Sequence, residues 1–368
     1  MTGNLNRAET ETGATWRSIH VHHHDTRRQD DLLLDAVRPV MAQVRDRVTS
    51  AFFVRHWLRG PHVRLNVRAT PEVFTAVVRP VAEGMVGEYL RTAPSRTGGP
   101  TPRTLAGHRR LAELEAEPGP LLPWHPDNSV REQPYDPRLS VLGSEEATRL
   151  LTDLYDAAND LVFRTLAGVR EAGMSRLGVA YDLLIATAHA FAPSGIGSGF
   201  VSFRSHAEAF LATWPEGHGK RSAWDEHYTR HADALTRRVD TVISAAAPGT
   251  DTARDWVTVL GRSARRGREL INSGHDFGMR PRPGGPVPAA HGELLARSPF
   301  HRALEDSPRW PRIRESAEFL HYRLSLNLLY LHLTRLGVTP MERFMLCHLT
   351  ANAVEDAVGV RAIDLLRS

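Results

Sequence analysis

The spacing of apolar residues changes period once along this chain, and that change bounds what it can fold into. Over the first ninety residues, runs that alternate apolar and polar residues are interleaved with runs at helical spacing, whereas from Ser144 onward only the helical spacing recurs. Trp16-Arg-Ser-Ile-His-Val-His-His-His24 alternates as a strand does. Asp30 to Val48 sets Leu33, Leu34, Val37, Val40, Met41 and Val44 at helical intervals. Ser50 to Trp57 and His62 to Ala69 alternate on either side of Leu58-Arg-Gly-Pro61, a hairpin signal. Pro71 to Arg91 returns to the helical period, with proline in its first turn. Strand, helix, strand, strand, helix is most of a ferredoxin-like split βαβ unit. Residues 92–143, dense in Pro and Gly, read as a long excursion with one further strand at Arg138 to Leu142. Helices are predicted at 145–172, 177–192, 206–214, 222–247, 252–274, 288–304, 310–337 and 340–366, with a surface loop from Gly278 to Val287. The predicted fold is therefore α+β: a disordered leader over 1–15, a ferredoxin-like sheet region over 16–143, and a larger all-α helical domain over 144–368.

The 368 residues, 41% hydrophobic and 24% charged, are ordinary for a globular protein and exclude collagen-like, disordered and disulfide-scaffold classes. A single cysteine, Cys347, excludes an internal disulfide and a cysteine-based zinc cluster. The polar start carries no signal-peptide core, and no stretch approaches the roughly 18 apolar residues of a membrane span, so a cytoplasmic protein with no membrane partner is expected. A net charge of +4 with scattered arginine gives no case for nucleic acid. Lys220 is the sole lysine among 46 basic residues. Most of that bias is compositional drift, yet it makes nearly every cationic site a guanidinium fork, suited to carboxylates and carbonyls.

Four groups of residues carry the candidate chemistry. In the hairpin, a turn centred between Arg59 and Gly60 sets Trp57 opposite His62, Arg55 opposite Arg64 and Phe53 opposite Asn66. Arg55, Trp57, His62 and Arg64 then share one face, which is either a binding surface for carboxylates or peptide carbonyls or a solvated outer face. The helix from Glu318 to Leu336 is apolar on almost every side. Two polar stripes cross it: His321, Ser325 and His332 in one, Arg323, Asn327, Tyr330 and Thr334 in the other. Burying so many polar groups costs free energy unless they are paired or functional. Third, Ser202-Phe-Arg-Ser-His206 follows the small-residue run Pro193 to Gly199, where close backbone or ligand approach is allowed; the alternative is a helix start capped by Ser205. Fourth, His20, His22 and His24 share a strand face, but no partner completes a zinc set, so no metal site is predicted. Nucleotide-binding glycine motifs and a nucleophile elbow are also lacking.

Trp16-Arg-Ser-Ile-His-Val, then Ala51-Phe-Phe-Val-Arg-His-Trp57 with Gly60-Pro-His-Val-Arg-Leu-Asn-Val-Arg68, then Gly199-Phe-Val-Ser-Phe-Arg-Ser-His206, resemble the thiopeptide and lantibiotic dehydratase elimination-domain (SpaB C-terminal-like) family, in order and across nearly the whole chain. The resemblance implies one of two activities, neither needing a metal or redox cofactor. Eliminases release glutamate from glutamylated Ser or Thr to leave dehydroalanine. Pyridine synthases join two dehydroalanines of a leader-bearing peptide by a formal [4+2] aza-cycloaddition, losing water and the leader. The Arg-Tyr-Gly-Gly element of the eliminases is missing at Tyr135 to Gly143, and the run Tyr322 to Val338 followed by Glu342 to Leu349 looks more like the stand-alone synthases. The expected function is thus pyridine formation and macrocyclisation. The glutamate eliminase and a non-catalytic leader-binding scaffold are the alternatives. For the synthase reaction, Tyr322, Ser325, Tyr330 and His332 on the late helix are the candidate catalytic residues, because proton handling at an amide suits Tyr, Ser and His. Arg55, Trp57, His62, Arg64, Ser202, Arg204 and His206 become the substrate- and leader-binding set. The implied partner is a precursor peptide with an acidic leader and an azole- and dehydroalanine-bearing core, with enzymes of the same pathway as further candidates.

Overall fold

The computed structural model describes residues 13–115, 117, 119–244, 251–275, 277–279 and 289–367, and the chain divides into two compact units at Gly173. Most of the expected leader, and the loop from Gly278 beyond Met279, lie outside the described residues. In the first unit, β1 (Thr15–His22), α1 (29–44), β2 (Ser50–His56), β3 (His62–Ala69), α2 (71–92), α3 (Pro102–Glu115) and β4 (Ser129–Gln133) follow one another. The four strands form one antiparallel sheet in the order β2-β3-β1-β4. With a helix after β1 and another after β3, this is the ferredoxin-like arrangement that the alternating periods imply. Ile19, Val21, Phe53, Val63, Leu65 and Val67 are buried on the face covered by α1 and α2. Thr70 starts α2 by accepting the Val73 N–H at 3.4 Å, and Pro71 follows at the position where a missing N–H costs nothing.

Two strand expectations are corrected. The fourth strand is Ser129–Gln133, nine residues earlier than expected, and Leu139–Leu142 is a helical turn. The alternation of Leu139 and Val141 misleads because both side chains are largely exposed, whereas the true strand has a single apolar residue, Val130, paired with Val21. The hairpin register is also one residue from the expected one: His56 opposes His62, Arg55 opposes Val63 and Val54 opposes Arg64. The connection takes five residues, with Arg59 (φ 56°) and Gly60 (φ 105°) in left-handed conformations and the Gly60 N–H bonded to the Trp57 carbonyl at 3.1 Å. Glycine is required there, since a Cβ would stand 2.8 Å from His24 Nε2. A one-residue shift moves a side chain to the other face. Arg55 therefore points to α1, donating to Asp30 at 2.5 Å, while Arg64 lies on the opposite face.

α4 (Glu145–Ala157) and α5 (Asn159–Glu171) close the open edge of β2. The Ala51 N–H donates to Asp156 at 3.2 Å, and Asn159 Nδ2 donates to the Ala51 carbonyl at 2.7 Å. For that reason these helices group with the sheet, and the division falls at Gly173 although helical spacing begins at Ser144. The second unit contains α6 (Arg176–Phe191), α7 (Ile196–Thr213), α8 (Lys220–Ile243), α9 (Asp251–Asn272), α10 (Ala289–Arg297), α11 (Pro299–Asp306), α12 (Trp310–Glu315), α13 (Ala317–Arg335), α14 (Pro340–Val358) and α15 (Ala362–Leu365). Long expected helices are broken where a hydroxyl caps a new one: Ser298 before α11, Ser316 before α13. Thr339 and Glu342 form a capping box at the start of α14. The run before Ser202 divides: Pro193 to Gly195 form a tight turn, Ile196 to Gly199 are the first turn of α7, and Ser205 is mid-helix rather than a cap.

Arg55→Ala removes the guanidinium paired with the mostly buried Asp30 carboxylate. It is expected to cost on the order of 3 kcal/mol, read as a lower urea midpoint; an unchanged midpoint removes this account of the hairpin face.

Candidate functional site

α7, α13 and α14 bring together a polar cluster in the second unit. Gly199 lets α7 sit directly on its neighbours: a Cβ there would be 2.8 Å from Ala188 Cβ and 3.0 Å from Tyr322 Oη. Tyr322, buried on α13, donates to the Gly199 carbonyl at 2.8 Å and also meets Ser202. Two turns further along α13, Tyr330 Oη and His206 Nδ1 share a hydrogen bond of 2.6 Å, and Cys347 Sγ lies 3.7 Å from the same hydroxyl. The Arg343 guanidinium sits 4.7 Å above the Tyr330 ring, close enough for a cation–π contact.

Beside the charged Arg343, the titratable groups His206, Tyr322, Tyr330 and Cys347 are held neutral. Burial first, then the charges of Arg343 and Arg323, pushes His206 down to about 3. Burial lifts the Tyr330 and Tyr322 phenols well above their usual range and the Cys347 thiol to about 11. A neutral imidazole joined to a neutral phenol can pass a proton in either direction without creating a stable ion pair.

The structure brings Ser202, His206, Tyr322 and Tyr330 together, and separates the other predicted members. Ser325 is fully buried and donates back to the His321 carbonyl at 3.0 Å. His332 stacks on Trp256 of α9 with ring centroids 4.2 Å apart. Both lie roughly 110° around the helix from the two phenols, on the stripe that His321 and His332 turn toward α9. Arg204 points to α14, donating to Glu355 at 2.8 Å and to Asn352 at 2.5 Å, so its fork is filled from within the fold. Arg343 and Cys347, one turn apart on α14, are members that the sequence reading missed; their i, i+4 spacing is the signal that would have found them.

In the first unit, Trp57, His62 and Arg64 gather with histidines on the face of the sheet away from α1 and α2. His62 stacks on His20 at 4.8 Å and lies 4.7 Å from His22, which is itself 4.7 Å from His125. Arg64 donates to His62 Nε2 at 3.1 Å, so the neutral His62 ring carries its proton on Nδ1, which meets the Gly60 carbonyl at 2.8 Å. Trp57 packs on His108, and among the described residues its indole N–H has no partner, nor has either ring nitrogen of the fully buried His22. Arg55 is absent from this face for the reason given above. Rings stacked in this way do not aim nitrogens at a shared point, and among the described residues no three His, Cys, Asp or Glu are placed to hold a metal. Two grooves of about 400 and 650 Å³ open in this unit, beside α2 and β4 and beside α1 and α4, and no predicted site residue lines either. No described helix is long and apolar enough to cross a membrane.

A ferredoxin-like sheet unit followed by a helical unit that buries a neutral Tyr–His pair is the class to which the hairpin and α7 motifs point. The family described as lantibiotic biosynthesis dehydratase C-term matches residues 16–354, and the chain belongs to it. Among solved structures, the pyridine synthase TbtD from thiomuracin biosynthesis is 38% identical, with a TM-score of 0.74, over 94% of this chain and 99% of that one. TsrL is 22% identical, with a TM-score of 0.71, over 96% and 98%. The tRNA-dependent lantibiotic dehydratase MibB from Microbispora sp. 107891 is 15% identical, with a TM-score of 0.52, over 94% of this chain and 28% of that one. The last two show the shared fold. No curated protein matches.

Burial holds His20 and His22 down to about 3, with the neighbouring Arg64 and His125 adding to the shift. Unfolded histidine titrates near about 6.5, so below that value the unfolded chain binds more protons. Stability present above about pH 6.5 is therefore lost as the pH falls toward 3. The urea midpoint at pH 5 is expected below that at pH 7.5, and equal midpoints contradict neutral burial of this stack.

Proposed function

We propose that this chain is a thiopeptide pyridine synthase, acting in the cytoplasm on a leader-bearing precursor peptide. The observation that carries the reading is the end-to-end similarity to TbtD, at 38% identity over 94% of this chain. Two dehydroalanines of the core peptide join: one is the alkene, and the other, with its neighbouring amide as the iminol, is the 2-azadiene. Loss of water and of the leader as a carboxamide then makes the ring aromatic and closes the macrocycle, with no oxidant needed.

The chain's own groups suit these demands. Holding two alkenes in near-attack geometry supplies about 7–11 kcal/mol of the barrier reduction. The amide-to-iminol shift moves a proton from nitrogen to oxygen, and the neutral His206–Tyr330 pair can accept at one atom and donate at the other. Tyr322 and Ser202 fix α7 relative to α13, so that the pair keeps its geometry. In the first unit, Trp57 and Arg64, the latter bonded to the buried His62, offer aromatic surface and a guanidinium to the acidic leader.

The test is incubation with a linear peptide that carries leader, azoles and dehydroalanines. A mass loss equal to water plus the amidated leader supports the reading; no such product, with conversion of a glutamylated peptide instead, assigns the chain to elimination. Tyr330→Phe is expected to lower turnover by roughly 10²-fold with KM little changed. Wild-type turnover in that variant removes Tyr330 from proton handling.

A further inference from the structure

Beside the His206–Tyr330 pair runs a second hydrogen-bonded chain. Ser205 precedes His206 on α7, and its Oγ lies 3.1 Å from His301 Nε2 on α11. The other ring nitrogen, His301 Nδ1, is 2.9 Å from Ser298 Oγ. Ser298 is completely buried and caps α11, its Oγ accepting the His301 backbone N–H at 3.3 Å.

The direction of this chain follows from counting protons. A serine hydroxyl has one proton to donate, and leaving it unpaired in a buried site is costly. Among the described residues the acceptor in reach of Ser298 is His301 Nδ1, so the Ser298 proton goes there. Burial pushes His301 down to about 4, so the ring is neutral near pH 7 and carries its single proton on Nε2. That N–H donates to Ser205 Oγ. Ser205 then accepts from the imidazole and keeps its own proton free, on a half-buried side chain, with no protein acceptor among the described residues. Successive donation along Ser298, His301 and Ser205 polarises the last hydroxyl and makes it a stronger donor.

We propose that Ser205 is a catalytic hydroxyl that donates a hydrogen bond to the amide oxygen of the bound dehydroalanine peptide, with His301 as its positioning residue and Ser298 fixing the tautomer of His301. The inference rests on the cycloaddition reading for what occupies the site. Density grows on the amide oxygen as the N–H proton is drawn away, so a donor aimed there stabilises the imidate-like transition state of the amide-to-iminol shift without adding a charged group.

Kinetics on the leader-bearing peptide and side-chain ¹⁵N NMR of the histidines test it. Ser205→Ala is expected to lower kcat by roughly 10²-fold with KM within about twofold. Ser205→Thr, which keeps the hydroxyl, restores most of the rate. In wild-type enzyme the resonance that vanishes in His301→Gln should show a protonated Nε2 and a bare Nδ1. A protonated Nδ1, or full kcat in a folded Ser205→Ala enzyme whose parent converts the peptide, overturns the proposal and leaves the cycloaddition reading standing. A parent enzyme that converts no such peptide overturns both.

Discussion

The missing side chain at Gly199 is the constraint on which the second unit depends. α6, α7 and α13 meet there at a range that even a methyl group forbids, with Ala188 and Ala192 on one side and Tyr322 on the other. Contact at that point sets the rotation of α7. Ser202, Ser205 and His206 then occupy roughly a 120° arc running from the contact. Once α7 is seated, its hydroxyls and imidazole meet the phenols of α13 and the imidazole of α11, and the phenol of Tyr330 in turn meets the thiol of α14. None of these partners lies near α7 in sequence.

α13 shows how a helix polar on two stripes can still be central. The His321, Ser325 and His332 stripe is absorbed by α9 through local bonds and ring stacking: His321 Nε2 meets the Ala264 carbonyl at 3.0 Å, and His332 covers Trp256, whose indole donates to Thr187 at 2.9 Å. Arg323, Asn327 and Thr334 stay exposed, and Arg323 reaches the Met279 carbonyl at 2.8 Å. Tyr322 and Tyr330, between the two, are buried against α7 and α14. The polarity of the helix thus sorts into a stacked interior face, a solvated face and one narrow band of buried phenols, and the candidate chemistry falls in that band.

The order of elements in the sheet unit was legible because period-2 and period-3.6 patterns alternate cleanly from Trp16 to Arg91. What was not legible is anything that depends on one residue of register or on distant partners. A five-residue and a four-residue hairpin connection read alike around Arg59-Gly60, yet they send Arg55 to opposite faces. β4 is Ser-Val-Arg-Glu-Gln, with too little apolar content to signal a strand, and it forms because β1 offers an open edge. In the site, Tyr330 and His206 were found from a stripe and from a family motif. Ser205 and His301 are 96 residues apart, and only folding puts them in contact. Arg204 and His332 carried the right chemistry but lie on the wrong faces of their helices.

The near-exclusive use of arginine takes a different meaning in the folded chain. Arg55 pairs with Asp30, Arg204 with Glu355, Arg221 with Glu208 and Arg238 with Asp182, so these forks bind partners within their own units. On the proposed reading, the groups that handle protons are uncharged: Tyr330, His206, Ser205 and His301. An amide becoming an iminol changes no net charge, and a site of ionised groups would bind the two tautomers with little discrimination while paying for its own desolvation. Neutral donors and acceptors fixed by buried bonds stabilise the one tautomer whose lone pairs and protons match theirs. The paired arginines build the frame, and the proposed discrimination falls to hydroxyl and imidazole groups that burial keeps neutral.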